Sequence, residues 1–244
     1  MNPFVGRLDK EGYEFAGQQF LPQRFSLEGM PIHGLVYDAA YDVVHTHADD
    51  TGVVVQLEVC YPATDPGFPF QYTVMVEYLL LPGNRLTINT IVLNQHEDVI
   101  PMSDGWHPYF NLGNTADTCT LEMATDTMLE FNADLIPTGE VLVYNKFQHH
   151  ELIGDTQLNN SFLLQHPLPG PACSFTNPAN GLKLQSWPDA TYPILHFYTP
   201  EERNSLAIEN LSAAPNAFNN RIGLLYLQPG ESHTFSTTFK ITTA

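Results

Sequence analysis

The sequence predicts an all-β protein of mainly antiparallel strands, on three observations. Its apolar runs are short, rich in β-branched residues and alternate with polar ones. Proline and glycine, 19 and 16 of them, punctuate those runs. Helical periodicity is hard to find anywhere.

Taken in order, GVVVQLEVCYP (52–62) is β-branched and alternating. QYTVMVEYLLL (71–81) and RLTINTIVLN (85–94) flank Pro82-Gly83-Asn84 and read as two strands joined by a turn. GEVLVYN, LKLQSWP, ILHFYT, SLAIENL, IGLLYLQPGE and HTFSTTFKIT have the same character. In LLYLQPGESHTFSTTFKI (224–241) a Pro-Gly turn between two alternating runs predicts a closing hairpin. Repeats, low-complexity tracts and linkers are not visible, so one domain over 1–244 is expected.

Composition limits the partners. Nine Lys plus Arg face 27 Asp plus Glu, a formal charge of −18. Such a surface repels nucleic-acid phosphates and anionic lipid, so neither nucleic acid nor membrane is expected as a partner, and a neutral small molecule fits best. Cys60, Cys119 and Cys173 stand far apart without a CxxC pair, which speaks against a disulfide framework or a structural zinc site. No apolar run is long enough to span a bilayer, and the start MNPFVGRLDKEG shows no secretory signal. A cytoplasmic setting is the expectation. Subunit number cannot be read from the sequence.

Four stretches depart from strand grammar. NPFVGRL offers Arg7 beside Gly6, and MPIHGLV places His33 before Gly34, a turn. SDGWHPYFNLG sets His107 among Trp106, Tyr109 and Phe110, followed at once by Pro108. On its own, a histidine in such a run is more often a core residue with one satisfied ring nitrogen. In LAIENLSAAPNAFNNR, Glu209 ends an apolar strand before a small-residue loop, as either an exposed strand-end charge or a desolvated base.

Together these stretches resemble the aldose 1-epimerase (galactose mutarotase) family. NPFVGRL is similar to its arginine segment and MPIHGL to its first histidine segment. DGWHPYFNLG is similar to its His-Pro-Tyr-Phe-Asn-Leu signature, DLIPTGEV to its Pro-Thr-Gly turn and LAIENLSAAPNAF to its glutamate segment. The resemblance implies a large antiparallel β-sandwich, the galactose mutarotase-like supersandwich. Because the family usually has strands ahead of its arginine segment, a sandwich lacking those first strands is expected.

The resemblance also implies roles in converting α and β anomers of a neutral aldose. Glu209 would be the general base and His107 the general acid, while Arg7 and His33 would hold sugar oxygens. Pro108 and the neighbouring aromatics would fix the His107 ring and wall the pocket. No metal or organic cofactor is implied. In NNSF, Asn159 stands where the family's Asp-x-x-Phe stretch has a sugar-binding aspartate, which predicts a different sugar preference. Asn210 follows Glu209 where many members have another residue. Two rival readings are a sugar-phosphate mutarotase, disfavoured by the scarcity of Arg and Lys, and a non-catalytic carbohydrate-binding protein of the same fold.

Other candidates are weaker. His45 and His47 alternate on one strand face, but a third metal ligand at suitable spacing is missing. His149-His150 reads as a solvated loop pair. Trp187 either lines a sugar platform or plugs the sandwich.

Overall fold

The computed structural model describes residues 1–243. Two antiparallel sheets dominate it. The larger has nine strands, in the order Glu151–Leu152, Thr120–Met123, Cys173–Thr176, Leu182–Pro188, Ser232–Thr243, Arg85–Asn94, Tyr72–Leu81, Gly52–Tyr61 and Asp42–Asp49. The smaller has six, in the order Tyr109–Phe110, Leu206–Leu211, Ile194–Tyr198, Asn159–Leu163, Thr127–Phe131 and Pro137–Val143. The all-β expectation holds.

The sheets pack through the alternation that marked the sequence. Phe162, Leu195, Phe197 and Ile208 of the six-stranded sheet share one buried cluster with Val74, Val92, Phe235 and Phe239 of the nine-stranded sheet. Side chains two apart on a strand point to one face. His196 and Tyr198 therefore leave the sandwich on the face opposite Leu195 and Phe197.

Asn210 is tied to this packing. It alternates with Glu209, so it points into the sandwich, where it is fully buried. Its Oδ1 accepts from Ser186 Oγ at 3.1 Å and its Nδ2 donates to Thr237 Oγ1 at 3.1 Å, both on the nine-stranded sheet. A buried amide satisfied on both ends pins the strand that carries Glu209.

One expected element differs. The turn at Gln228–Glu231 forms, with Glu231 N donating to Gln228 O at 2.9 Å, but the closing hairpin does not. Leu225–Leu227 pairs instead with Ile100–Met102 in a separate two-stranded ribbon. Ser232–Thr243 lies inside the nine-stranded sheet, with Arg85–Asn94 on one edge and Leu182–Pro188 on the other. Leu182–Pro188 pairs with Thr237–Thr243 only, so the chain entering at Ser232 is laddered to Arg85–Asn94 alone, and Leu225–Leu227 takes its partner from Ile100–Met102.

Candidate active site

Glu209 and His107 are brought together by one strand pairing. Gly105 bridges Leu211, and Tyr109 pairs with Ala207. The same register places His107 opposite Glu209. Trp106 N donates to Asn210 O at 3.2 Å and Ile208 N to Pro108 O at 3.2 Å. Pro108 lacks an N–H, so it accepts within this ladder without donating. Upstream, Asp104 is buried; its Oδ2 accepts from Tyr192 Oη at 2.6 Å, and its N–H donates to Ser212 Oγ at 2.8 Å. Trp106 Nε1 donates to Thr90 Oγ1 at 3.0 Å, fastening the segment to the nine-stranded sheet.

The two catalytic candidates touch. His107 Nε2 lies 3.1 Å from Glu209 Oε1. Burial pushes the Glu209 carboxyl well above the ordinary carboxylate range, and burial likewise lowers His107. His107 Nδ1 is buried without a hydrogen-bond partner among the described residues.

Arg7 and His33 arrive from a loop at the chain's start. Arg7 bridges Ile32, His33 N donates to Gly6 O at 2.9 Å, and Asn216 N donates to Arg7 O at 2.7 Å. The loop after Glu209 thus clasps the arginine segment. The Arg7 side chain, only 12% exposed, pairs through Nη1 with Glu28 Oε2 at 2.8 Å. His33 has a left-handed backbone, φ 62°, which is uncommon for a residue with a Cβ. Its ring stands edge-on to that of His107 with centroids 5.3 Å apart. Burial first, then His107, the amino terminus and Arg7, bring the His33 pKa down to about 3.

Arg7, His33, His107, Asn159 and Glu209 all line one open cavity of about 310 Å³. That volume sits at the small end of ligand sites. His196, Tyr198 and Phe131 also line it and were not singled out in the sequence. His196 was legible in part, because ILHFYT alternates and its histidine must leave the core with Tyr198. What the sequence could not supply is the register: Ser161 pairs with His196, and His196 with Glu209, in one row across three strands. His196 Nε2 lies 4.0 Å from Glu209 Oε1, and burial lowers its pKa to about 3.

Of the aromatics expected to wall the pocket, Tyr109 does so, its ring centroid 4.8 Å from that of His107. Trp106 lines a neighbouring cavity, and Phe110 packs inward on Phe239 at 5.1 Å. Trp187 is 40% exposed on the nine-stranded sheet and lines a separate surface hollow with His166. His47 Nε2 pairs with Asp49 Oδ2 at 2.9 Å, and His150 Nε2 with Glu122 Oε2 at 3.1 Å. Among the described residues, no group of three or more His, Cys, Asp or Glu is arranged to hold a metal ion. Likewise, no helix is long and apolar enough to cross a membrane.

Fold and site together define a protein of the galactose mutarotase-like β-sandwich class. A galactose mutarotase/aldose epimerase homologue from C. elegans superposes with a TM-score of 0.86 at 19% identity, covering 100% of this chain and 81% of that one. The galactose 1-epimerase of Lactobacillus acidophilus gives 0.84 at 18% identity, over 100% and 79%. The sequence model of the aldose 1-epimerase family matches residues 1–240, and the chain belongs to that family. By sequence it is similar to the uncharacterized protein YihR of Escherichia coli, 24% identical over 95% of this chain and 74% of that protein.

Proposed function

We propose that this protein is an isomerase that interconverts the α and β anomers of a free neutral aldose, with Glu209 as general base and His107 as general acid. The observation that carries the reading is the 3.1 Å contact between His107 and Glu209 in a cavity lined by further donors.

The chemistry needs one proton on the pair. Glu209 removes the proton of the anomeric hydroxyl as the C1–O5 bond breaks, and His107 Nε2 delivers a proton to O5. The open aldehyde rotates about C1–C2. Closure on the other carbonyl face reverses both transfers, so the protein ends as it began. Both oxygens are bonded to C1, so acid and base must stand side by side. Burial favours the neutral arrangement of the pair, and a proton shared across so short a contact can pass to the imidazole when the sugar's hydroxyls enter.

Arg7 and His33 are proposed to hold sugar oxygens, and Asn159 to read a hydroxyl position. The Arg7 charge is offset by Glu28, which supports a neutral sugar over a sugar phosphate. A cytoplasmic setting and one domain over 1–244 are part of the same proposal. Polarimetry of fresh α-anomers from a panel of aldoses tests it. Equilibration faster than buffer is expected for at least one sugar, and buffer rates for all of them would overturn it.

A further inference from the structure

We infer that His196 is a positioning residue which orients the Asn159 amide so that its NH₂, not its oxygen, faces the ligand, making this subsite a hydrogen-bond donor. The inference rests on the sugar-site reading above and concerns the polarity of one subsite within it.

The argument starts at Ser161. Its side chain is fully buried, and its hydroxyl has one partner among the described residues, His196 Nδ1 at 2.8 Å. A buried hydroxyl proton must be given to an acceptor or left unpaired at a cost. The proton therefore points at Nδ1, and Nδ1 must be bare to accept it. His196 is 8% exposed, and burial keeps it neutral, so its one ring proton sits on Nε2. That Nε2–H lies 3.2 Å from Asn159 Oδ1 and donates to it. The opposite amide orientation would face an N–H with an N–H, so the oxygen is fixed inward. Asn159 lines the cavity, and among the described residues its Nδ2 has no hydrogen-bond partner, which leaves that NH₂ free for a ligand.

A carboxylate in place of Asn159 would present a second acceptor oxygen to the sugar. Such a site requires a hydroxyl that donates. The Ser161–His196–Asn159 chain inverts the requirement, because the sugar atom facing Nδ2 must accept. Ser161, which does not line the cavity, thus sets ligand polarity through His196, its neighbour in the cross-strand row.

Long-range ¹H–¹⁵N NMR of the imidazoles reads the first step directly. Nδ1 of His196 should be bare and Nε2 protonated, and Ser161→Ala should release that bias. A proton on Nδ1 in the parent would overturn the inference, whether or not any sugar is turned over. The second step is read with a sugar that the enzyme accepts and its deoxy and deoxyfluoro analogues at each ring position. Fluorine accepts but cannot donate. At one position the fluoro analogue should have a KM about 2- to 5-fold below its deoxy partner, the lower end of what one neutral hydrogen bond contributes. The ratio should approach one in Ser161→Ala and invert in Asn159→Asp. Equal KM values for fluoro and deoxy analogues at every position would reject the donor subsite while leaving the isomerase reading intact. Buffer rates with every parent sugar would reject that reading instead, and the NMR result would still decide the amide's orientation.

Discussion

His107 Nε2 stands 3.1 Å from Glu209 Oε1, the nearest contact between the two groups proposed to move protons. Glu209→Gln keeps the shape but cannot accept the anomeric proton. It should lower kcat by about 10²–10⁴, the usual share of one positioned acid or base, with KM little changed. His107→Asn should cost a comparable factor. The double variant should lose less than the product, because one proton exchange uses both groups. Buffer-subtracted polarimetry measures each rate. Near-parental turnover by Glu209→Gln would remove Glu209 from the mechanism.

The pH profile follows from the shared proton. Activity needs the pair singly protonated. A second proton blocks the base, and burial holds His107 below its ordinary 6.5, so the acid limb should fall below that value. Losing the last proton removes the acid. Burial holds Glu209 well above 4.5, so the alkaline limb should lie far above the carboxylate range. The midpoints belong to the pair, not to either residue. A bell-shaped kcat/KM profile measured with buffer blanks is expected. A single acid limb near 4.5 with no alkaline fall would contradict it.

Strand existence and the catalytic stretches were legible in the sequence because both are local. Alternation announces a half-buried strand, and the stretches around Arg7, His33, His107 and Glu209 carry the family resemblance without any contact being known. Register was not legible. Nothing local says that His196 lies opposite Glu209, or that Ser161 lies beside His196 in the same row. The missing hairpin has the same cause: Gln228–Glu231 turns as its residues require, but Leu225–Leu227 pairs with Ile100–Met102, a partner far away in the chain. Trp106 shows the limit for side chains, since its indole is drawn to Thr90 on the other sheet rather than to the pocket beside it.

Gly34 should be intolerant of a side chain. Its φ is +76°, and a Cβ there would meet Asn2 O at 2.2 Å. Gly29 has φ +81° with open space around it and isolates the backbone term. Gly29→Ala should cost about 1 kcal/mol. Gly34→Ala should cost clearly more and also raise KM, because it displaces His33. Denaturant titration and sugar kinetics on both variants check this. Equal losses of stability would show that the Asn2 contact yields freely.

Acid stability should report the buried imidazoles. His33 and His196 have folded pKa values of about 3 against 6.5 for the free side chain. In that window the unfolded chain binds protons that the folded protein refuses. Their stabilising contribution is therefore complete above pH 6.5 and is lost as pH falls toward 3, at up to about 1.4 kcal/mol per pH unit for each group. Glu209 acts with the opposite sign. Its raised folded pKa makes its contribution complete below 4.5 and lost as pH rises through the folded value. Unfolding free energy measured against pH should thus fall less steeply for His196→Gln than for the parent between pH 6.5 and 3. For Glu209→Gln it should fall more steeply between 6.5 and 4.5, where the opposing carboxyl has been removed. Parallel curves for the parent and His196→Gln would mean that His196 takes up its proton in the folded protein as readily as in the unfolded chain.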